Sequence, residues 1–277
     1  MRAIPAVQID DHCSEPLERA RRSERARVER PARDELGGQL ERQVLGPLVV
    51  AADQRILVRR RLVELRDRDI VVVAQKAVSK VEGRIVRIDE LEASDKAREL
   101  AGDERDPREV EAILREAKQI VRERGPLVIT QTRHGFICAS AGVDHSNAPE
   151  PGTLVLLPVD PDLSARNLRA RLHELTGRTV GVIVTDSFGR PFRQGTTDVA
   201  IGVAGVQAIV DLRGTKDRIG YELRASRVAV ADQIAGAADL ARGKAEGVPV
   251  VIVRGLELEG EGTAQELVIE PELDLFR

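Results

Sequence analysis

Two oxygen-rich turns, each directly after an apolar run, carry the residues of this sequence that are best suited to chemistry. The first turn, GVDHSNAPEPG, contains Asp144, and the second, VTDSFGRPFRQG, contains Asp186 and Ser187. A hard cation such as Mg²⁺ or Mn²⁺ takes one or two carboxylates together with hydroxyls, water and phosphate oxygens. The two turns therefore predict one shared metal site.

Two arginines follow the second acid. The guanidinium groups of Arg190 and Arg193 present forks that match a phosphate or a carboxylate, and we infer from their charge that they help to bind a reacting anion. The alternative is that Asp144 and Asp186 only cap turns or helices, as aspartate does routinely. Because two similarly built turns occur, the sequence favours a site over two independent caps.

A group of lysines follows the apolar run IVVVA, which predicts a buried strand ending at Gln75. Lys76, Ser79 and Lys80 come next and would surround one anion if this turn is compact. The alternative is that the lysines lie on the solvated face of an amphipathic segment. A Walker-type phosphate loop is excluded, because no glycine-rich segment precedes the lysine.

The long segment between the lysines and the first acid predicts a helix. Within residues 94–124, apolar positions spaced three and four apart continue through Ala117 and Val121, which is the pattern of an amphipathic helix, and Asp106 supplies its N-cap. After the second acid, RVAVADQIAGAADLARGKAEGVPVVIVRGL predicts a strand or bend, a helix, a glycine-rich turn and a strand.

A strand–helix–strand unit leads to the second acid. TLVLLPVDPD predicts a strand, SARNLRARLHELTG a helix with Ser164 as N-cap and Gly177 as its stop, and TVGVIVTD a strand that ends at Asp186. The segment after the arginines is small and apolar, and Gly202 and Gly205 in it indicate closely packed backbones. It lacks the Gly-x-Gly-x-x-Gly pattern of a dinucleotide loop. Periodicity alone thus predicts a mixed α/β chain.

Composition narrows the class of protein. The 277 residues, 42% of them hydrophobic, suffice for one large domain, and the net charge of -3 with 2% aromatic residues argues against nucleic acid as a partner. Only two cysteines occur, Cys13 and Cys138, so neither a disulfide framework nor a zinc ligand set is available. The sequence has no signal-peptide pattern and no apolar run long enough for a bilayer, and we expect no membrane association and a cytoplasmic location.

The N-terminal residues differ from the rest of the chain. Residues 1–42 are dense in charges of alternating sign and poor in apolar side chains, which predicts a charged, disordered leader. A mis-assigned start codon would explain the same segment. We therefore expect the functional domain to occupy residues 43–277.

Beyond single motifs, the sequence resembles the coenzyme F420-0:L-glutamate ligase family, the γ-glutamyl ligases that elongate the tail of the deazaflavin coenzyme F420. The resemblance runs from about Val44 to the C-terminus. It rests on a colinear series of motifs: QKAVSKVEGR, HGFICASAGVDHSN, LLPVDPD, VTDSFGRPFRQG with the following AIGVAG, and RGKAEGVPVVIVRG.

The resemblance implies an activity and a fold. It implies a ligase that uses GTP and Mg²⁺ or Mn²⁺, with K⁺ as a further candidate ion, to add L-glutamate to coenzyme F420-0 and F420-1 through an acyl phosphate. It also implies a family-specific mixed α/β fold with two subdomains, different from a Rossmann fold, in an intertwined homodimer. Two alternatives stay open: an amide ligase for a different phosphorylated acceptor, and a non-catalytic nucleotide- or metal-binding partner of another enzyme.

The resemblance also implies roles for particular residues. Asp144, Asp186 and Ser187 match metal ligands. The positions that match nucleotide contacts are Gly46, Pro47, Leu48, Val49, Gln75, Lys76, Lys80, Asn147, Arg242, Gly243, Lys244, Ala245, Glu246, Gly247 and Val248. One of them departs from the pattern, because some family members have an acidic metal ligand where this chain has Lys244. Either that ligand is lost or Glu246 takes its place. Phe188, a second departure, packs on the substrate or on the core.

Overall fold

A computed structural model describes residues 64–244 and 247–275 of the chain. The predicted leader and the predicted nucleotide segment at residues 46–49 lie outside the described residues, as do Ala245 and Glu246.

The described residues form both helices and strands in several small sheets. The helices are α1 (Gln75–Val81), α2 (Asp95–Ala101), α3 (Pro107–Glu116), α4 (Pro161–Thr176) and α5 (Val230–Arg242). The strands are β1 (Ile70–Ala74), β2 (Ile85–Arg87), β3 (Ala117–Arg124), β4 (Leu127–Thr132), β5 (Ile137–Ala139), β6 (Thr153–Val155), β7 (Gly181–Arg190), β8 (Arg193–Ala204), β9 (Val210–Asp211), β10 (Arg227–Val228) and β11 (Val250–Val253). The predicted mixed α/β class is confirmed.

A four-stranded sheet in the order β11-β1-β7-β8 organises the larger core. β1 and β7 run parallel, whereas β11 and β8 are antiparallel to their neighbours. The run IVVVA forms β1 as the sequence predicts, and its side chains are buried together with those of β7 because both faces of these strands are covered. Helices α4 and α5 pack against β8.

A second core lies among the remaining elements. It joins α2 and α3 to the β2–β6 pair and to the sheet β3-β4-β5, and its fully buried side chains include Ile113, Val128 and Leu154. The loop that carries Asp144 belongs to this half of the described chain, since the backbone of Asp144 pairs with Val155 of β6. Asp186, by contrast, belongs to the central sheet.

Within residues 94–124, the amphipathic helix that the sequence predicts with Asp106 as its N-cap does form, but it ends at Glu116, so the prediction is wrong for the residues beyond it. Two helices form there, α2 and α3, and the residues from Ala117 onward form β3, which pairs with β4 across a turn at Gly125. Gly125 has a φ of 56°, which glycine adopts without strain. The i, i+4 spacing from Ala117 to Val121 was accidental, because cross-strand pairing decided the conformation. Asp106 does cap α3, since its side chain accepts a hydrogen bond from the Arg108 amide.

The N-cap of α4 is Asp160, so the prediction of Ser164 is wrong. The Asp160 carboxylate accepts a hydrogen bond from the Leu163 amide, and Pro161 occupies the first turn. Ser164 lies inside the helix and donates to Glu82. Gly177 ends the helix in a left-handed conformation, as predicted. The predicted strand TLVLLPVDPD shortens to β6, which ends at Val155.

β7 does not end at Asp186, contrary to the prediction. It continues to Arg190 because β8 pairs with it beyond the acid, with Asp186 opposite Val199. The motif VTDSFGRPFRQG is therefore a long hairpin and not a turn after a strand. The close packing predicted for the glycines is confirmed, since a methyl group on Gly202 would overlap the Pro161 carbonyl group of α4.

Candidate active site

Asp186, on β7 of the central sheet, lines one side of the candidate site. Its side chain is 12% exposed, and burial raises the pKa of Asp186 to about 6, with Lys76 opposing the rise and with Asp198 and Asp144 adding to it. An ionised carboxylate in such surroundings is costly without a cation beside it. Asp186 is therefore placed to take up positive charge.

Asp144 approaches from the other core. Its carboxylate accepts hydrogen bonds from the amide and the hydroxyl of Ser146, each 2.8 Å long. Burial raises the pKa of Asp144, but the hydrogen bonds from Ser146 and the charge and hydrogen bond of Lys76 outweigh it and hold the pKa below its usual value. Asp144 thus remains an anion where Asp186 titrates.

Lys76 connects the two acids. β1 passes into α1 without an intervening loop, which puts Lys76 in the first turn of the helix, directly above the sheet. Its Nζ lies 2.9 Å from Oδ2 of Asp144 and 4.0 Å from Oδ1 of Asp186. The two acids that the sequence assigns to one shared site thus lie beside the same lysine, although these residues come from three separate segments.

The other predicted residues of the lysine segment differ in their surroundings. Gln75 is buried, and its amide donates to the hydroxyl of Ser79 and to the carbonyl group of Leu156, so it braces α1. Lys80 is partly exposed, and burial together with the charge of Lys76 lowers the pKa of Lys80. Two ammonium groups thus lie near one another, which favours an anion between them.

Asp198 was missed by the sequence analysis and organises the other end of the site. This buried β8 residue faces Ser187 across the hairpin and accepts hydrogen bonds from the hydroxyls of Ser187, at 2.5 Å, and Thr185, at 3.0 Å. Its Oδ2 lies 2.7 Å from Nη1 of Arg242. The available signal was a lone acid in the small apolar segment TTDVAIGVAG, where a charge requires partners.

The late glycine-rich segment reaches this end of the site, as predicted. Arg242, the last residue of α5, is buried, and its Nη1 donates to Thr185 and Asp198. Its Nε and Nη2 are buried and lack a hydrogen-bond partner among the described residues. Beyond Gly243, Nζ of Lys244 contacts the Ser187 hydroxyl and lies 3.9 Å from Oδ1 of Asp198.

Arg190 and Arg193, two further predicted residues, lie away from the two acids. Arg190 and Arg193 face each other at the exposed end of the hairpin, and Arg190 donates to the Gln194 carbonyl group. At about 3.3 Å per residue, Arg190 is on the order of 13 Å along the strand from Asp186, so the structure does not bring the arginines to the acids.

Asn147 lies in the exposed turn after Asp144 with a φ of 55°, a conformation that asparagine tolerates. Gly247, at the far end of the late segment, is exposed with a φ of 67°, and Val248 after it is partly exposed.

Aromatic packing beside the site accounts for Phe188. Its ring makes an edge contact with Phe136 at 6.3 Å between centroids, and Phe136 in turn stacks on His134. The histidine Nε2 lies 2.9 Å from the Pro158 carbonyl oxygen. Of the two predictions for Phe188, the structure therefore shows packing on the core.

The donor set fits one hard cation. Within residues 64–244 and 247–275 no three His, Cys, Asp or Glu side chains cluster as a metal site. Asp144 and Asp186 supply two carboxylates, and Mg²⁺ is commonly held by one or two carboxylates with water and substrate phosphates completing its shell. The Ser187 hydroxyl, in contrast, is already engaged by Asp198 and Lys244.

Comparison with known proteins identifies the relatives of this chain. The family described as F420-0:Gamma-glutamyl ligase matches residues 49–255. Coenzyme F420:L-glutamate ligase of Methanopyrus kandleri is 49% identical over 221 residues, which cover 77% of this chain and 87% of the relative. Enzymes of the same description from Methanocaldococcus jannaschii and Archaeoglobus fulgidus are 44% identical over 216 residues and 42% identical over 233 residues, covering 77% and 83% of this chain and 86% and 93% of the relatives.

These matches agree with the resemblance that the motifs suggested. The protein is an enzyme of the ligase class. More particularly, it belongs to the F420-0:gamma-glutamyl ligase family, whose match spans most of the chain. Across the described ranges, none of the helices combines the length and the apolar character that a bilayer crossing requires.

Proposed function

We propose that this enzyme uses GTP to join L-glutamate to the terminal carboxylate of coenzyme F420-0, and then of F420-1, by γ-glutamyl amide bonds. The observation that carries the proposal is the contact of Lys76 with both Asp144 and Asp186, in a chain whose relatives are F420:L-glutamate ligases. The carboxylates that could bind a metal ion and the ammonium group that could bind phosphate therefore lie together, where the two cores adjoin.

The chemistry explains why such a site is needed. A carboxylate is a poor electrophile, so one of its oxygens first attacks the γ-phosphorus of GTP, and the bond from that phosphorus to GDP breaks. The neutral amine of glutamate then attacks the acyl carbon, phosphate leaves, and the amine proton passes to solvent. Each step brings several negatively charged oxygens together.

Residues of this chain are suited to hold those oxygens. The ammonium groups of Lys76 and Lys80 would bind phosphate oxygens and orient the triphosphate. Asp144 and Asp186 would hold Mg²⁺ or Mn²⁺, which when bound neutralises the phosphate charge. Arg190 and Arg193, exposed at the end of the hairpin, suit the carboxylates of an acceptor tail rather than the reacting atoms.

The proposal also covers the oligomeric state of the enzyme and a K⁺ ion. The two separate cores support two subdomains, and we propose the intertwined homodimer and K⁺ as expectations from the family. The roles of Gly46 to Val49, Ala245 and Glu246 in nucleotide binding remain predictions about residues outside the described ranges.

The direct test is incubation of the purified protein with coenzyme F420-0, L-glutamate, GTP and Mn²⁺, followed by mass spectrometry of the deazaflavin products. We expect products longer by one or more glutamyl residues, with GDP released in step. An arm with ATP tests the nucleotide, and an Asp186→Asn variant is the inactive control.

Other outcomes would decide for the alternatives. GDP release with a different carboxylate-bearing acceptor, and none with coenzyme F420-0, would show an amide ligase of other specificity. GTP binding without any product, with every acceptor tried, would show a non-catalytic partner and would refute the proposal.

A further inference from the structure

Lys244 makes contacts that a metal ion could otherwise make. Its Nζ touches the Ser187 hydroxyl and lies 3.9 Å from Oδ1 of the buried Asp198. The lysine side chain is itself 63% exposed. An ammonium group is a compact point charge, and here it lies against a hydroxyl and a carboxylate oxygen.

Each carboxylate oxygen of Asp198 is already engaged by residues of the protein. Oδ1 accepts from Ser187 and lies nearest to Lys244, whereas Oδ2 accepts from Thr185 and Arg242. Both oxygens of the carboxylate therefore have a hydrogen-bond donor from the protein itself, and Oδ1 also lies close to the Lys244 charge. The Ser187 hydroxyl donates to Asp198 and contacts Lys244, so it too is in use.

Charge matching gives the same result. The three carboxylates of the site, Asp144, Asp186 and Asp198, are matched by the cations Lys76, Arg242 and Lys244. One divalent ion at the Asp144–Asp186 end, together with the nearby Lys80, would leave the site positively charged, which suits a polyanionic nucleotide. A second divalent ion at the Ser187–Asp198 end would have to displace the ammonium group of Lys244 and would compete with the hydrogen bonds that Asp198 already accepts.

We propose that the ammonium group of Lys244 is a built-in cation at the Ser187–Asp198 end, so that the enzyme binds a single divalent ion, at the Asp144–Asp186 end. The inference deepens the proposed function, because it concerns the ions of the same site. It also predicts that an acid at position 244 creates a second ion site, since Lys244→Glu changes the local charge by two units and adds a carboxylate.

The test is Mn²⁺ binding to the full-length protein without nucleotide or acceptor, followed by the EPR signal of free Mn²⁺. We expect one equivalent for the wild type and two for Lys244→Glu. Lys244→Arg keeps the positive charge and should bind one equivalent. Lys96→Glu, an exposed position on α2, adds an acid remote from the site and should also bind one.

The number of bound Mn²⁺ equivalents decides the proposal. Two equivalents in the wild type, or two in Lys244→Arg, would overturn the proposal, as would one equivalent in a Lys244→Glu variant whose circular dichroism and melting curve match those of the wild type. The measurement uses no substrate. Absence of glutamate transfer would therefore refute the proposed function while leaving this inference intact.

Discussion

Lys76 is the residue on which the geometry of the candidate site depends most. Its ammonium group lies between the carboxylates of Asp144 and Asp186, which belong to different cores, so it reduces the repulsion between them. The same positive charge would attract the phosphate oxygens of a nucleotide bound there. Its surroundings also differ from those of a solvated surface lysine, because its side chain is 21% exposed. The alternative of solvated lysines therefore does not hold for Lys76.

Replacement of this lysine should separate catalysis from ion binding. We expect Lys76→Met to lower kcat/KM for glutamate addition by about 100-fold, since loss of one preorganised charge-stabilising donor has effects of this order. Mn²⁺ binding in the absence of nucleotide should become tighter, because no ammonium group competes for the acids. Steady-state kinetics and Mn²⁺ titration measure the two effects.

The matched control is Lys96→Met, which removes an exposed lysine that pairs with Glu99 on α2. Both its kinetics and its Mn²⁺ binding should equal those of the wild type. A Lys76→Met enzyme with wild-type kcat/KM would show that the lysine has no part in the reaction.

Asp198 and Arg242 form a buried ion pair on which the hairpin and α5 both depend. Asp198→Asn would leave the guanidinium group of Arg242 buried without a counter-ion, and we expect the free energy of unfolding to fall by about 3–5 kcal/mol. Urea unfolding followed by circular dichroism measures the change.

An exposed ion pair provides the comparison for this variant. Asp211→Asn breaks the pair with Arg213 on the surface and should leave the urea midpoint unchanged. Equal midpoints for the Asp198 and Asp211 variants would mean that the buried pair contributes no more than a surface pair.

At the scale of elements, a bidentate ion pair joins the end of β11 to the start of β1. Arg254 follows β11 and donates from Nε and Nη2 to the buried Asp69, each bond being 2.7 Å long. The hydrogen bonds from Arg254 lower the pKa of Asp69, against the opposing effect of burial, and the Arg66 amide adds to the lowering. The acid thus fastens the edge strand of the sheet.

This pair gives stability a definite pH dependence. Because the pKa of Asp69 is lower in the folded protein than its usual 3.8, its contribution is complete above that value and disappears as pH falls through the folded pKa. In Asp69→Asn, Tm should be lower at neutral pH, and the difference from wild type should shrink below about pH 4.

Thermal unfolding between neutral and acidic pH measures this dependence. Asp103→Asn, in the exposed loop between α2 and α3, is the control and should melt as the wild type does. A Tm difference for Asp69→Asn that stays constant down to acidic pH would contradict the assignment.

For the whole molecule, the family match and the N-terminal segment set the boundary of the active unit. The match begins at residue 49, whereas the sequence predicts that the charge-dense leader ends at residue 42. Between them lie Gly46 to Val49, the segment that the resemblance assigns to the nucleotide. We therefore expect deletion of the leader and deletion of this segment to affect the enzyme differently.

Two truncations distinguish them. Deletion of residues 1–42 should leave kcat and KM for GTP within about twofold of the full-length enzyme, because the leader is too poor in apolar residues to pack on a domain. Deletion of residues 1–49 should raise KM for GTP strongly. Identical kinetics for both truncations would remove the nucleotide segment from the site, and an inactive first truncation would give the leader a function.

Much of the site was predictable from local chemistry. Asp144 and Asp186 were recognisable because two similarly built oxygen-rich turns follow apolar runs, and Lys76 because it follows the predicted strand, whereas the late segment at Arg242 was assigned through the resemblance to the family. IVVVA was recognisable as a strand because a continuous run of β-branched residues fits a sheet with both faces covered. Each of these patterns is local, because the residues that form it lie within a few positions of one another in the chain.

Other features depended on contacts that no local pattern contains. Residues 117–124 satisfy a helical spacing, yet they form β3 because β4 offers a ladder of hydrogen bonds. The hairpin continues past Asp186 for the same reason. The sequence by itself determined the candidate acids Asp144 and Asp186 and the candidate lysines Lys76 and Lys80, because their residue types and their places after apolar runs are local features. Only the tertiary structure decided that Lys76 joins Asp144 to Asp186, and that Asp198 is satisfied by Ser187, Thr185 and Arg242, because both arrangements bring together charges from segments far apart in the chain.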